Sequence, residues 1–311
     1  MTTATNPPST PRNLRRGWTI ALFGIILFSI GPSATKIALT DGFIPVNFLL
    51  MRYLIGTTLM VITIAIIGPH YFRVDRRGLL LCISAGALLV TALQIFTLAL
   101  TRINASIASM LVALYPLIAL VLLALRGEKF TYRNGFRIIL SLIGVYLLIG
   151  PEGKVDLVGA ALVITASIIF AFYMVMIQWY LTDYETRTVA LYVVITILFF
   201  NTGLWLWQGA VWPVAGWSGW AAVIFMGVGT SYLGQLALYS AVREIGSGQM
   251  ALLNPLESLP SVIWATALLR EQLSLIQWIG GTLILISMLL AIQRIRRSPR
   301  LTWRARLRLR L

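Results

Sequence analysis

Ten long apolar runs follow one another through this chain, at about 18–39, 44–67, 78–99, 104–125, 135–150, 157–180, 188–208, 218–241, 247–268 and 275–293. A helix needs about 20 apolar residues to cross the hydrocarbon layer of a bilayer. Backbone groups inside that layer must bond to one another, which leaves helices and closed barrels as the spanning structures. Barrel strands read as short alternating segments, and these runs neither alternate nor stop early. Charged residues make up 11% of the chain and hydrophobic ones 59%, where soluble domains carry about 25% charged. That balance cannot clothe a water-soluble enzyme in a polar skin, and it is too apolar for a disordered chain. The expected class is therefore an all-α polytopic membrane protein with ten transmembrane helices. A single cysteine (Cys82) and a single histidine (His70) exclude a disulfide framework and a His/Cys metal cage. No metal or other cofactor is expected.

The formal charge of +15 would point to nucleic acid in a soluble domain, but the placement of the bases points to lipid. Eight arginines crowd residues 294–311, directly after an apolar run, as a tail lying on anionic head groups does. With the N-terminus inside, the inner side receives 20 of the 25 lysines and arginines. The outer loops receive Arg102, Lys154 and Arg270, while Lys36 and Arg52 fall within runs. The excess predicts that both termini are cytoplasmic. The outer end of runs seven and eight carries Trp205, Trp207, Trp212, Trp217 and Trp220, as an interfacial aromatic belt would. The first run is long and its features recur later, so a cleavable signal peptide is not expected.

The two halves match at an offset near 142. Phe28 aligns with Phe170, Lys36 with Gln178, Gln94 with Gln235, Ile103 with Ile245 and Glu128 with Glu271. Five runs is an odd number, so the second copy must enter the membrane upside down. The expected organisation is a tail over 1–17, a first five-helix repeat over 18–150, an inverted second repeat over 151–293, and a basic tail over 294–311. Inverted repeats accompany alternating-access transport, with substrate held near the midplane between them.

Several of these residues carry a family pattern. Phe28, Ser29, Ile30 and Gly31 lead to Lys36, and Arg52 sits inside the second run. Leu98, Ala99 and Leu100 run into Ala105 and Ser106, and a proline in run four precedes Arg126, Gly127 and Glu128. The pattern resembles the EamA-type transporters of the drug/metabolite transporter superfamily across about 18–293, one copy in each half. More narrowly it is similar to the YddG-type bacterial exporters of aromatic amino acids. Phe28-Ser29 stands where the family often has Trp-Gly, and Arg270-Glu271 where it has Gly-Glu. The resemblance implies a carrier in the bacterial inner membrane that exports amino acids, aromatic ones included.

Charged residues within spans are costly and usually face a cavity or a partner. Lys36 reads equally as a snorkelling cation or a cavity group. Arg52 lies too deep to snorkel and reads as an ion-pair or carbonyl clamp. Glu257, with Asn254 one turn before it, is placed to meet a substrate ammonium or a proton. The remaining candidates for a substrate-binding lining are Gln94, Gln235, Tyr115, Phe172, Tyr173, Tyr239 and Trp264. A zwitterion needs donors for its carboxylate and an acceptor for its ammonium, and flat rings suit an aromatic side chain. Pro32, Pro116, Pro255 and Pro260 each remove a helix hydrogen bond and are candidate hinges. No phosphate-binding G-x-x-x-x-G-K-[ST] motif occurs, so nucleotide hydrolysis is not expected. No paired catalytic groups stand out, and the chain is not expected to be an enzyme. Efflux of cationic drugs, or carriage of another small metabolite such as a nucleotide sugar, is the alternative.

Overall fold

A computed structural model describes residues 14–125, 132–150, 155–181, 184–245 and 254–295. Glu128, residues 1–13 and 296–311 of the two tails, and the start of the ninth run lie outside the described residues. The first half holds α1 (Leu14–Ser29), α2 (Gly31–Thr40), α3 (Pro45–Ile67), α4 (Arg76–Leu100), α5 (Ala105–Val112), α6 (Tyr115–Leu125) and α7 (Tyr132–Ile149). The second holds α8 (Leu157–Met176), α9 (Thr186–Trp207), α10 (Trp217–Ile224), α11 (Gln235–Ile245), α12 (Ser258–Leu269) and α13 (Leu275–Ile295). Six helical stretches are long and apolar enough to cross a membrane: Leu14–Thr40, Pro45–Ile67, Arg76–Leu100, Leu157–Leu181, Thr186–Trp207 and Trp217–Leu238. Four shorter apolar helices, Ala105–Ala119, Asn134–Ile149, Ser258–Leu269 and Leu275–Ser287, fall in the other expected runs.

Several runs are interrupted. The first breaks at Ile30, two residues before Pro32, whose missing N–H leaves the Phe28 carbonyl without its helical donor. The fourth breaks at Ala113–Leu114, just upstream of Pro116. A 3-10 turn, Asn254–Glu257, containing Pro255, leads into α12, whose third residue is Pro260. Two further interruptions have no proline: π-helical stretches at Ile177–Leu181 and Phe225–Gly234. The second is glycine-rich, with Gly227, Gly229 and Gly234, and widened turns of this kind recur at functional sites.

Packing between the halves is reciprocal. Counted from one to five in each half, the first stretch packs on the third of the other (α1 on α11), and the third on the first (α4 on α8). The second meets the third (α3 on Phe225–Gly234), and the third meets the second (α4 on α9). Second, fourth and fifth each also meet their own counterpart: α3 with α9, α5 with α12, α7 with α13. A two-fold relation between two similar bodies demands this pairing. Large side chains such as Ile66 (79% exposed) and Phe199 (77%) cover the outside, where water would penalise them and lipid would not.

Small residues set the closest approaches. A Cβ on Gly280 in α13 would lie 2.6 Å from the Gly144 carbonyl oxygen and from the Leu148 amide of α7. Gly280→Ala is therefore expected to overpack this pair and cost about 1–3 kcal/mol. A lowered unfolding temperature in detergent would report it. Gly203→Ala, where a Cβ meets nothing within 4 Å, is the control, and equal effects of the two changes would refute the packing account.

The turns at one end of the bundle tie the two halves together. Asp41, after α2, accepts a 2.6 Å hydrogen bond from the Gly219 amide in the first turn of α10. Gly42 holds φ +111° against the Val214 carbonyl, a conformation that favours glycine. Asp156 caps α8 by accepting from Val158 and Gly159 and pairs with Arg102 at 3.3 Å. The Gly159 amide, ahead of the Val158 amide and Arg102, holds the Asp156 carboxyl below the usual range.

Candidate functional site: a charged and aromatic layer inside the bundle

Arg52 lies in the second turn of α3, on a helix whose neighbours are almost all apolar. It can meet a polar partner because α3 runs close to the glycine-rich stretch. A Cβ on Gly56 would collide with Ser231, and one on Gly227 would crowd Ile55 and the Arg52 carbonyl. At that separation Arg52 Nε donates to Ser231 Oγ at 2.9 Å. Its guanidinium carbon lies 5.1 Å from the ring centroid of Tyr53. Ser231 itself is 3% exposed, so the bond is shielded from solvent.

Glu257 closes the turn that leads into α12, and its charge acts on Arg52 and on Tyr115. Tyr115 follows the break between α5 and α6. Its ring meets Phe170 of α8 edge-to-face at 5.0 Å, and Phe170 lies 5.7 Å from Tyr173. Tyr173 in turn packs against the buried cluster that includes Tyr53 and Cys82. Arg52, Tyr115, Tyr173 and Glu257 are each partly buried. Among the described residues no ion pair within 4 Å joins Arg52 to Glu257, so the two charges act on each other without touching.

The other expected residues are distributed more widely. The Lys36 ammonium donates to the carbonyls of Leu100 (2.6 Å) and Ile103 (2.7 Å), at and just beyond the end of α4. A cation there complements the negative end of the helix dipole. Gln94 donates to Asn201 Oδ1 at 2.6 Å, joining α4 to α9. Trp264 donates to Ser29 Oγ at 3.2 Å, joining α12 to the end of α1. Phe172 is exposed, on a different face of α8 from Phe170 and Tyr173. Gln235 is half-buried at the start of α11. The side chains of Tyr239, Asn254 and Pro255 lie outside the described residues.

A cleft of ≈ 440 Å³ opens between α2, α10 and α12, lined by Ile30, Ala34, Ile37, Ala221, Phe225 and Trp264 among others. None of its lining residues is charged, and neither Arg52 nor Glu257 is among them. Among the described residues there is no cluster of histidine, cysteine or carboxylates able to hold a metal.

Sequence reasoning passed over Ser231 and Asn201, which read as ordinary small polar residues in apolar runs. It registered Glu271 only as the repeat partner of Glu128. In the structure Glu271 accepts from the amides of Ala105 (2.7 Å) and Ser106 (2.9 Å) and from the Ser106 hydroxyl. It thus caps α5 from the second half of the chain, and its charge also acts on Lys36.

The EamA-like transporter family matches residues 15–150 and again 157–293, once in each half. No curated protein matches the chain. Among 29 matching solved chains, one crystal structure superposes with a TM-score of 0.63 at 19% identity, covering 90% of this chain and 99% of its own. That likeness is one of fold. With both halves matched over nearly all of the chain outside its tails, the protein belongs to the EamA-like transporter family, membrane transporters of the drug/metabolite type.

Proposed function

We propose that the protein is a secondary carrier of the bacterial inner membrane that exports amino acids, aromatic ones included, by alternating access. In this reading ten spans form two inverted five-helix repeats over 18–150 and 151–293, with both termini cytoplasmic. The interruptions beside Pro32, Pro116, Pro255 and Pro260 serve as hinges about which the repeats rock. What carries the reading is the separation of Arg52 from Glu257 beside Tyr115, Phe170 and Tyr173. A guanidinium matches a substrate carboxylate in geometry and charge. A carboxylate across the gap accepts from an ammonium, and the rings supply an apolar surface for a flat side chain. A carrier for organic cations would be poorly served by Arg52 in the same space as its carboxylate.

Counterflow in proteoliposomes tests this directly. Vesicles loaded with unlabelled phenylalanine are expected to accumulate labelled phenylalanine from outside, and other amino acids should compete. Failure of a folded, monodisperse protein to accumulate label would sink the amino acid reading. Organic cations and then nucleotide sugars would be the next substrates.

A further inference from the structure

Two opposite charges within an apolar helix bundle attract strongly, because their low-dielectric surroundings screen them little. Left free, a long flexible arginine side chain would swing to the carboxylate and close the gap. Arg52 does not do so here. Its Nε is committed to Ser231 Oγ at 2.9 Å, and the Tyr53 ring lies beside its guanidinium. The tether takes the side nitrogen and leaves the terminal Nη pair uncommitted to Ser231; a guanidinium offers that pair as two parallel donors.

Ser231 reaches Arg52 only because of where the helix widens. It lies within the π-helical stretch Phe225–Gly234, with Gly227 four residues earlier against Ile55 of α3 and Tyr232 next to it. Tyr232 is itself held to Thr63 of α3 at 2.6 Å. The stretch is thus pinned to α3 at successive levels, and the hydroxyl of Ser231 is delivered with little freedom. It is 3% exposed, and Gly56 packs directly on its Cβ. The serine is small enough to allow this approach and polar enough to hold the arginine.

We infer that Ser231 is a positioning residue that holds Arg52 away from Glu257 and so keeps the site open to a ligand carrying both a carboxylate and an ammonium. The ligand class rests on the function proposed above; the tether does not. Without the hydroxyl, the guanidinium crosses to Glu257 and the two charges neutralise each other.

Reaction of Arg52 with phenylglyoxal, followed by peptide mass spectrometry on the purified full-length protein, reads the tether without any substrate. Exposed Arg102 serves as the internal reference. Ser231→Ala is expected to slow labelling of Arg52 about tenfold, the scale of one charge-assisted bond made or lost. The double change Ser231→Ala/Glu257→Gln should restore the original rate, since the arginine then has no carboxylate to reach. Ser231→Thr, which keeps the hydroxyl, should label as the parent protein does. Unchanged labelling in a monodisperse Ser231→Ala protein overturns the inference, as does slow labelling that Glu257→Gln fails to relieve. Adding phenylalanine separates the two claims. Protection of Arg52 in the parent protein supports the amino acid reading. Absence of protection, with the Ser231 effect intact, leaves the tether standing and removes the amino acid as ligand.

Discussion

Arg52→Gln protein reconstituted in vesicles is expected to lose transport by about a hundredfold, the scale on which one member of a desolvated charge pair matters. The change removes the guanidinium charge with its Nη donors and the Nε donor to Ser231. It also leaves Glu257 without the cation whose field it shares. Arg52→Lys keeps the charge but presents a point donor in place of a planar fork, so it should fall between the two. A purely structural arginine predicts a different pattern. In that case Arg52→Gln/Glu257→Gln, which removes both charges together, would recover transport as well as stability. The proposal expects the double change to recover stability alone. Counterflow rates beside unfolding temperatures for the four proteins decide between them, and recovered transport would refute the binding role.

The broad architecture was legible because bilayer physics leaves so few solutions. Apolar runs of span length can only be helices in this setting, and the helices begin and end close to where the runs do. Proline marked two of the interruptions, at Ile30 and at Ala113–Leu114, since a missing N–H breaks a helix wherever it stands. The π-helical stretches at Ile177–Leu181 and Phe225–Gly234 were not legible. They arise from how α8 and the eighth run pack on their neighbours, and no single residue type forces them.

The charged layer was legible in part. Arg52 and Glu257 stood out because each is costly in an apolar run, and Tyr115 and Tyr173 are joined through Phe170. Lys36 was left between two readings, and neither included the carbonyls of Leu100 and Ile103, which come from a turn 64 residues away or more. Gln94 looked like a lining residue because its partner Asn201, on α9, cannot be inferred from spacing. Phe172 differs from Tyr173 only by helix rotation, which hydropathy in an all-apolar run does not report. Ser231 carried no signal at all, since its role depends on the absence of side chains at Gly56 and Gly227.

Glu271 gives the clearest stability prediction, because one side chain takes three donors at a single helix end. The first turn of an α-helix leaves four amides without partners, and in α5 two of these, with the Ser106 hydroxyl, donate to the Glu271 carboxylate. The same turn is held from its other side by Lys36, which donates to the carbonyls of Leu100 and Ile103 at and just beyond the end of α4. A cation from the first half and an anion from the second thus grip one corner of the chain. Asn104, at the N-cap position, makes no side-chain capping bond, so nothing local replaces the carboxylate. Each bond to a charged group contributes about 1.5–3 kcal/mol, and the three share one acceptor, so Glu271→Ala is expected to cost about 3 kcal/mol. That corresponds to an unfolding temperature lower by something on the order of 5–10 °C. Glu271→Gln keeps one acceptor and should lose roughly half as much, whereas Ser106→Ala removes one donor and should lose least. Tryptophan fluorescence during thermal unfolding in detergent gives the ranking. A Glu271→Ala protein that melts with the parent would mean that solvent satisfies the α5 amides just as well, and that the clamp across the two halves contributes nothing to holding them together.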